Sequence, residues 1–288
     1  MSTQGIAFSK MSGAGNDFIV IDNRDGRIGE DGRTELFRAW CRRRLGVGAD
    51  GVLLVEPPAG AGADFRMRYY NADGGEAESG GNGARCIAAF ANSIGAAGDP
   101  LSFETLAGLY GATMTRGGVI LSLTDPHSLR RDVPLPLEGI AGGKVDLIDT
   151  GVPHLVTFVE DLAGVEVDRL GRTIREHEAF APEGVNVNFA RVLEGGRLAM
   201  RTYERGVEAE TLACGTGAVA CAIIAHLRGS AESPVEVETT GGSVLRIHFD
   251  GGGDQGSGSV SNVRLEGEAR VVYEGVLAPA PSAALARL

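Results

Sequence analysis

The spacing of apolar and polar residues predicts many short strands and a few helices, arranged in two halves. Strands are expected in the first half at 6–11, 18–22, 52–55, 65–70 and three times between 101 and 123, and helices at 34–44 and 84–94. In the second half, strands are expected at 145–149, 155–160, 185–189, 198–203, 235–239, 244–249 and 263–273, and helices at 168–177 and 219–227. Short strands with hairpin-length connections around one apolar helix predict a mostly antiparallel, curled sheet or barrel.

A glycine-rich motif occurs twice, each time before an apolar helix. Gly80-Gly81-Asn82-Gly83-Ala84 and Cys214-Gly215-Thr216-Gly217-Ala218 share the pattern x-Gly-polar-Gly-Ala at an offset of 214 − 80 = 134 residues. A repeat at half the chain length indicates two related halves, because solenoid repeats have periods of roughly 20–50 residues. We therefore expect an α+β fold with two pseudo-symmetric domains, residues 1–128 joined by the tail 275–288, and residues 129–274. The proline-bearing segment 125–143 is expected to be the crossing between them.

Composition and charge exclude several kinds of partner and site. The net charge is −11 and the densest basic run, Arg42-Arg43-Arg44, is short, so nucleic acid is not an expected partner. The four cysteines have no CxxC spacing and no histidines are paired at ligand spacing, so we expect neither a metal nor disulfides. No apolar run reaches the roughly 18 residues of a membrane span, and the N-terminus lacks a signal-peptide core, so a cytoplasmic protein is expected. The glycine-rich stretch 251–258 reads as a hairpin insertion without a function.

A cysteine in the second glycine motif is the main candidate for chemistry. Cys214 stands at the start of an apolar helix, where backbone amides carry partial positive charge. We therefore expect a lowered pKa for its thiol and a thiolate that is available near neutral pH. A free cysteine is more often a small buried residue, but the flanking Gly215 and Gly217 favour a functional position.

Polar residues near the two motifs form a predicted amino-acid site. If the two halves face each other, the two helix starts would line a cleft and bind a carboxylate through backbone amides. These amides belong to Gly81, Asn82, Gly215 and Thr216. Three side-chain amides near strand ends would bind an amino-acid zwitterion; they belong to Asn16, Asn71 and Asn186. Arg205 would bind a second carboxylate, and Glu204 an ammonium group.

Motifs spread in order over nearly the whole chain resemble those of the diaminopimelate epimerase family. They are Met11-Ser12-Gly13-Ala14-Gly15-Asn16-Asp17-Phe18, Asn71-Ala72-Asp73-Gly74, Gly81-Asn82-Gly83-Ala84-Arg85-Cys86, Pro153-His154, Val185-Asn186-Val187, Glu204-Arg205-Gly206, Glu210-Thr211 and Ala213-Cys214-Gly215-Thr216-Gly217. The resemblance implies a homodimeric, two-domain enzyme without a cofactor that inverts an α-carbon of diaminopimelate on the route to lysine. In that family one cysteine removes the α-proton and a thiol on the opposite face returns one, because the planar carbanion must be reprotonated from the other side.

The resemblance also assigns roles residue by residue. Cys214 corresponds to one of the two catalytic cysteines, and His154 and Glu204 correspond to residues that tune the thiols. The family's substrate-binding positions correspond to Asn16, Asn71, Gly81, Asn82, Asn186, Glu204, Arg205, Gly215 and Thr216. Gly80 stands at the position of the other cysteine, so the second thiol is missing. Cys86 is not an obvious substitute, because it lies inside the following helix.

Three hypotheses follow from Gly80. In the first, the chain interconverts LL- and meso-diaminopimelate with weakened or altered two-base chemistry, in which Ser79, Glu78 or a water relays the second proton. In the second, Cys214 acts alone in one-sided chemistry on an amino acid, such as exchange with retention, elimination or isomerisation. In the third, the chain is a catalytically silent amino-acid-binding paralogue. The first is favoured because the amino-acid-binding residues are retained.

Overall fold

A computed structural model of the chain describes residues 5–77, 80–251 and 260–277. The helices are α1 (Arg33–Cys41), α2 (Gly81–Ser93), α3 (Val167–Arg175) and α4 (Gly215–Leu227). The strands are β1 (Ile6–Gly13), β2 (Asn16–Asp22), β3 (Gly51–Glu56), β4 (Phe65–Asn71), β5 (Leu101–Thr105), β6 (Gly108–Thr115), β7 (Gly118–Ser122), β8 (His127–Pro134), β9 (Lys144–Asp149), β10 (Pro153–Phe158), β11 (Asn186–Val192), β12 (Leu198–Glu204), β13 (Ala209–Thr211), β14 (Val235–Glu238), β15 (Val244–Gly251), β16 (Val260–Gly267) and β17 (Arg270–Leu277). The described residues fall into two compact units, 5–121 with 267–277, and 122–266.

The first unit is a mixed sheet with a helix on each face. The pairs β1–β17, β1–β2, β3–β4 and β5–β6 are antiparallel, whereas β2–β3 and β4–β5 are parallel. Val52 and Leu54 of β3 pack with Phe37 and Trp40 of α1, while α2 packs on β1 to β4 and on β6. Since alternate side chains of a strand point to opposite faces, β3 has an apolar residue at nearly every position.

The second unit has the same plan, with α3 and α4 on opposite faces of a mixed sheet. The pairs β8–β9, β9–β10, β11–β12, β12–β13, β14–β15 and β15–β16 are antiparallel, and β10–β11 and β12–β14 are parallel. Val187 and Phe189 of β11 pack in the cluster that contains α3 residues. Alternation therefore turns Asn186 and Asn188 toward α4. The expected α+β class with mostly antiparallel sheets is confirmed, and within the described residues the sheet is open rather than a closed barrel.

Some parts of the chain differ from the sequence-based expectation. The expected strand 263–273 is divided into β16 and β17, because the chain changes unit near residue 267. The segment 125–143 is not only a crossing, since it contains β8. This strand pairs irregularly with β9 and has positive φ angles at Ser128 and Asp132, so its side chains do not follow a regular alternation that the sequence could reveal. The boundaries of the compact units lie at 121 and 267.

The expected hairpin insertion at 251–258 lies outside the described residues, apart from Gly251, and so does the tail beyond residue 277. Among the helices of the described part, none combines the length and the apolar character of a membrane span.

Candidate active site

Both glycine motifs form the first turn of an apolar helix that packs on one face of the sheet in its unit. The helices α2 and α4 each have 13 residues, and their N-cap positions are Gly80 and Cys214. The helices were expected to start at 84 and 219, after the glycines, but they start at Gly81 and Gly215. Each motif therefore supplies the free first-turn amides of a helix, which are the groups that bind anions.

The sulfur of Cys214 lies beside two hydrogen-bonding groups and near a carboxylate. The Gly217 amide donates to Sγ at 3.4 Å, and the Thr216 hydroxyl oxygen lies 3.6 Å from Sγ. The carboxylate of Glu204, at the end of β12, lies near enough to the thiol for its negative charge to act on it. Cys214 is only 8% exposed, so these contacts operate away from bulk water.

The expectation of a lowered pKa for Cys214 is wrong in this structure. Burial raises the pKa of the thiol well above its usual value, and the negative charge of Glu204 raises it further. The hydrogen bonds from Thr216 and Gly217 act in the opposite direction but are the smaller effects. Burial also raises the pKa of Glu204. Cys214 is therefore a neutral thiol beside a carboxylate that can accept its proton.

His154 lies under the first turn of α4 and is fully buried. Its Nε2 lies 2.9 Å from Thr216 Oγ1, and its Nδ1 lies 3.0 Å from Asn188 Nδ2. Burial, assisted by the positive charge of Arg205, lowers the pKa of His154 to about 3. The imidazole is thus neutral at physiological pH and is connected to Cys214 through Thr216.

Asn186 and Arg205 lie beside this group. Asn186 is paired with His154 across the parallel strands β10 and β11. Its side-chain oxygen accepts a hydrogen bond from the Arg205 amide at 2.9 Å, and its nitrogen donates to the Pro153 carbonyl at 3.3 Å. The Arg205 guanidinium donates to the Glu183 carbonyl at 3.2 Å. The structure thus brings together the residues expected from the second half of the sequence.

A line of side chains connects the expected residues of the first unit. Arg85 donates to the Asn82 oxygen at 2.9 Å, Asn82 donates to the Asn16 oxygen at 2.7 Å, and Asn16 donates to Asp50 at 3.1 Å. Arg85 is buried, which lowers its pKa to about 10, and its Nη1 has no hydrogen-bond partner among the described residues. Asn82, in the first turn of α2, and Asn16, at the start of β2, are therefore held in fixed orientations.

The remaining expected residues of the first unit are more exposed. Asn71 ends β4 opposite Gly51, the residue that follows Asp50, and its side chain is exposed. Gly80 is exposed, and a Cβ added there meets no atom of the described residues within 4 Å. The suggested relay residues Glu78 and Ser79 lie outside the described residues. No group of three or more His, Cys, Asp or Glu side chains suited to a metal occurs in the described part of the chain.

A comparison with protein families identifies the chain. The sequence profile described as "Diaminopimelate epimerase" matches residues 8–129 and 147–261. The chain belongs to the diaminopimelate epimerase family.

Curated relatives in this family are similar along their whole length. The diaminopimelate epimerase of Aquifex aeolicus is 44% identical over 279 residues, which cover 94% of this chain and 97% of the relative. That of Archaeoglobus fulgidus is 41% identical over 285 residues, with coverage of 94% and 96%.

Solved structures share the fold at much lower identity. A probable proline racemase from Agrobacterium radiobacter aligns with a TM-score of 0.69 and 19% identity, over 98% of this chain and 95% of that chain. A hydroxyproline epimerase from Agrobacterium vitis aligns with a TM-score of 0.67 and 18% identity, over 95% and 91%.

The sequence reasoning missed several side chains that contact the candidate residues from behind. Asn188 and Thr202 lie behind His154, and Arg85 and Asp50 end the line through Asn82. A signal for Asn188 was present, because it lies two residues after Asn186 on the same strand and must share its face. Arg85 lies one helical turn after Asn82, whereas Asp50 had no comparable signal, since its partner Asn16 is distant in the sequence.

Proposed function

We propose that this chain is a diaminopimelate epimerase, which interconverts LL- and meso-diaminopimelate by proton transfer at the α-carbon. The observation that carries the proposal is the position of Cys214 at the N-cap of α4, where its sulfur accepts from the Gly217 amide, lies beside the Thr216 hydroxyl and feels the charge of Glu204. The proposal is also supported by membership of the family and by a relative of that name that is 44% identical over 94% of this chain.

Cys214 and Glu204 are proposed to move one proton between them and the substrate. The neutral thiol is ready to act as an acid, which gives its proton to the α-carbanion and becomes a thiolate. In the reverse direction Glu204 accepts the thiol proton, and the thiolate then removes the α-proton. The Gly217 amide and the Thr216 hydroxyl stabilise the thiolate by hydrogen bonding.

The other candidate residues are proposed to bind the substrate and to stabilise the carbanion. First-turn amides of Gly81, Asn82, Gly215 and Thr216 are suited to a carboxylate that gains negative charge as the α-proton leaves. Asn16, Asn71 and Asn186 bind polar groups of the amino acid, Arg205 a carboxylate, and Glu204 the ammonium group. His154 acts by supporting Thr216.

Gly80 supports a second candidate function. Inversion requires a proton from the face opposite Cys214, and a glycine at the N-cap of α2 offers no side chain for it. One-sided chemistry with Cys214 alone, such as α-proton exchange with retention, is therefore the alternative. We propose that epimerisation persists but is slowed or altered.

The test is incubation of the purified chain with LL- and meso-diaminopimelate in D2O, followed by NMR and chiral chromatography. Deuterium uptake with inversion supports the epimerase, and uptake with retention supports one-sided chemistry. Binding of diaminopimelate without deuterium uptake supports the hypothesis of a catalytically silent amino-acid-binding paralogue. Cys214→Ala is the matched control, in which uptake is expected to disappear while binding remains.

We further propose that the chain acts as a cytoplasmic homodimer without pyridoxal phosphate and that its two compact units are two domains. The four cysteines are buried and free, as in proteins of reducing compartments. Light scattering on the purified chain gives the oligomeric state. Turnover that is insensitive to carbonyl reagents is the expected result for a site that does not use pyridoxal phosphate.

A further inference from the structure

Asn188 is a buried side chain whose amide touches three different groups. It lies on β11 and has no exposed surface. Its nitrogen donates to the Leu155 carbonyl at 2.9 Å and lies 3.0 Å from His154 Nδ1. Its oxygen accepts a hydrogen bond from the Thr202 hydroxyl at 3.0 Å. Three partners at these distances leave the amide one orientation.

The Leu155 carbonyl determines that orientation. A backbone carbonyl can only accept a hydrogen bond, so the NH2 group of Asn188 must face it. The second hydrogen of the same NH2 group then points to His154 Nδ1, which must be the accepting, unprotonated nitrogen. In a neutral imidazole the hydrogen therefore resides on Nε2.

The tautomer of His154 in turn determines what Thr216 can do. His154 Nε2–H donates to Thr216 Oγ1 at 2.9 Å, so the hydroxyl hydrogen of Thr216 is available for another acceptor. The sulfur of Cys214 lies 3.6 Å from that oxygen and is such an acceptor. With the other tautomer, His154 Nε2 would accept the hydroxyl hydrogen instead, and the sulfur would lose a donor.

A second contact joins Asn188 to the Cys214 turn. A Cβ added to Gly217 would lie 2.3 Å from Asn188 Oδ1, so only glycine allows the first turn of α4 to lie this close. The Gly217 amide is the group that donates to the sulfur. Asn188 thus affects both donors to the sulfur: it acts on Thr216 through His154, and it packs directly against Gly217.

We propose that Asn188 is a positioning residue, which holds His154 in the Nε2–H tautomer so that Thr216 donates its hydroxyl hydrogen to the sulfur of Cys214. This role rests on the proposed acid and base function of Cys214, although the tautomer itself does not. The charged groups nearby are Glu204, beside the thiol, and Arg205, near His154. Neither charged group takes part in the hydrogen bonds that lead from Asn188 through His154 and Thr216 to the sulfur.

The first experiment measures the tautomer by ¹⁵N NMR on protein labelled at histidine, with His154→Gln to assign the signals. The expected wild-type result at neutral pH is a protonated Nε2 and an unprotonated Nδ1. In Asn188→Asp the carboxylate accepts from Nδ1, so a protonated Nδ1 is expected. In Asn188→Ala, which leaves Nδ1 without a donor, a mixture of tautomers is expected. A wild-type Nδ1–H tautomer overturns the proposal, even if no Asn188 variant folds.

The second experiment measures α-deuterium exchange with diaminopimelate as kcat and KM. Asn188→Asp and Asn188→Ala are expected to lower kcat at least about tenfold, less than the 10²–10⁴-fold attributed to a positioned acid or base itself, with KM nearly unchanged. Thr202→Val is the matched control, because it removes a buried hydrogen bond to the same amide but leaves the His154 contact intact. It is expected to keep the tautomer and kcat.

The outcomes separate this proposal from the proposed function. An unchanged tautomer and kcat in folded Asn188 variants overturn the role of Asn188. A Thr202→Val variant that loses as much kcat as Asn188→Ala also overturns it, because general stability would then explain the loss. If wild-type protein exchanges no deuterium, the epimerase proposal fails, while the NMR arm still decides whether Asn188 sets the tautomer.

Discussion

The Asn82 side chain donates a hydrogen bond to the Asn16 side-chain oxygen at 2.7 Å. Arg85 stands at one end of this pair and can only donate, while the carboxylate of Asp50 stands at the other end and can only accept. The two amides between them therefore have one consistent orientation. A ligand meets the same free donors and acceptors on Asn82 and Asn16 at every encounter, which lowers the entropy cost of binding.

Replacing Arg85 should weaken substrate binding. Arg85→Met keeps an apolar side chain of similar length in the buried position but leaves the Asn82 oxygen without its donor. We expect diaminopimelate binding to weaken roughly 5- to 30-fold, the equivalent of one or two hydrogen bonds of about 1 kcal/mol each, measured by calorimetry. Arg24→Met, which breaks an exposed pair with Asp22, is the control and should bind normally. Equal affinities of the two variants would contradict this account of Arg85.

Gly80→Cys should restore the missing thiol. The backbone of Gly80 is extended, with φ −70° and ψ 167°, and an added Cβ meets no described atom within 4 Å. The N-cap position matches that of Cys214, so the new sulfur can accept from the first turn of α2. We expect the inversion rate to rise by about 10²-fold or more, measured by chiral chromatography. Gly80→Ala fills the space without a proton donor and should give no gain. A similar rate in both variants would contradict the assigned position.

Glu204→Gln should lower the pKa of Cys214 and reduce activity at the same time. The negative charge of Glu204 raises the pKa of the thiol, so its removal makes the thiolate form at lower pH. Absorbance of the thiolate, titrated against a Glu204→Gln/Cys214→Ala reference, measures this change. Deuterium uptake should nevertheless fall by about 10²-fold, because the acceptor of the thiol proton is lost. Glu236→Gln, an equal charge change on the surface, should alter neither quantity.

His154→Gln should change how stability depends on pH. Burial lowers the pKa of His154 from 6.5 to about 3, so between these values the unfolded chain binds a proton that the folded chain does not. The contribution of His154 to the free energy of unfolding is therefore fully present above pH 6.5 and is lost as the pH falls toward 3. The difference in unfolding free energy between wild type and variant should shrink by about 1.4 kcal/mol per pH unit in that range. Urea denaturation at several pH values measures it, and a constant difference would contradict a buried neutral His154.

Local patterns in the sequence were sufficient for the type of most elements. The fully apolar run Val52-Leu53-Leu54-Val55 is a strand, as expected, and it is covered on both faces. The strand β8 was missed because most of its side chains are exposed and it contains positive φ angles, so it has no apolar alternation to reveal it. The glycine motifs were expected before the helices, but they lie inside the first turns of α2 and α4. Glycine has a low helix propensity, which is tolerated in a first turn because the amides there have no partner within the helix.

The sequence by itself determined the family, the α+β class and the two motifs that begin α2 and α4, because each of these is carried by short local patterns along the chain. The tertiary structure alone decided the chemical state of Cys214. A helix start lowers the pKa of a thiol, but burial and the charge of Glu204 raise it more. These effects depend on what surrounds the sulfur once strands far apart in sequence are paired. For the same reason, only the structure connected Asn188, His154 and Thr216 to that sulfur.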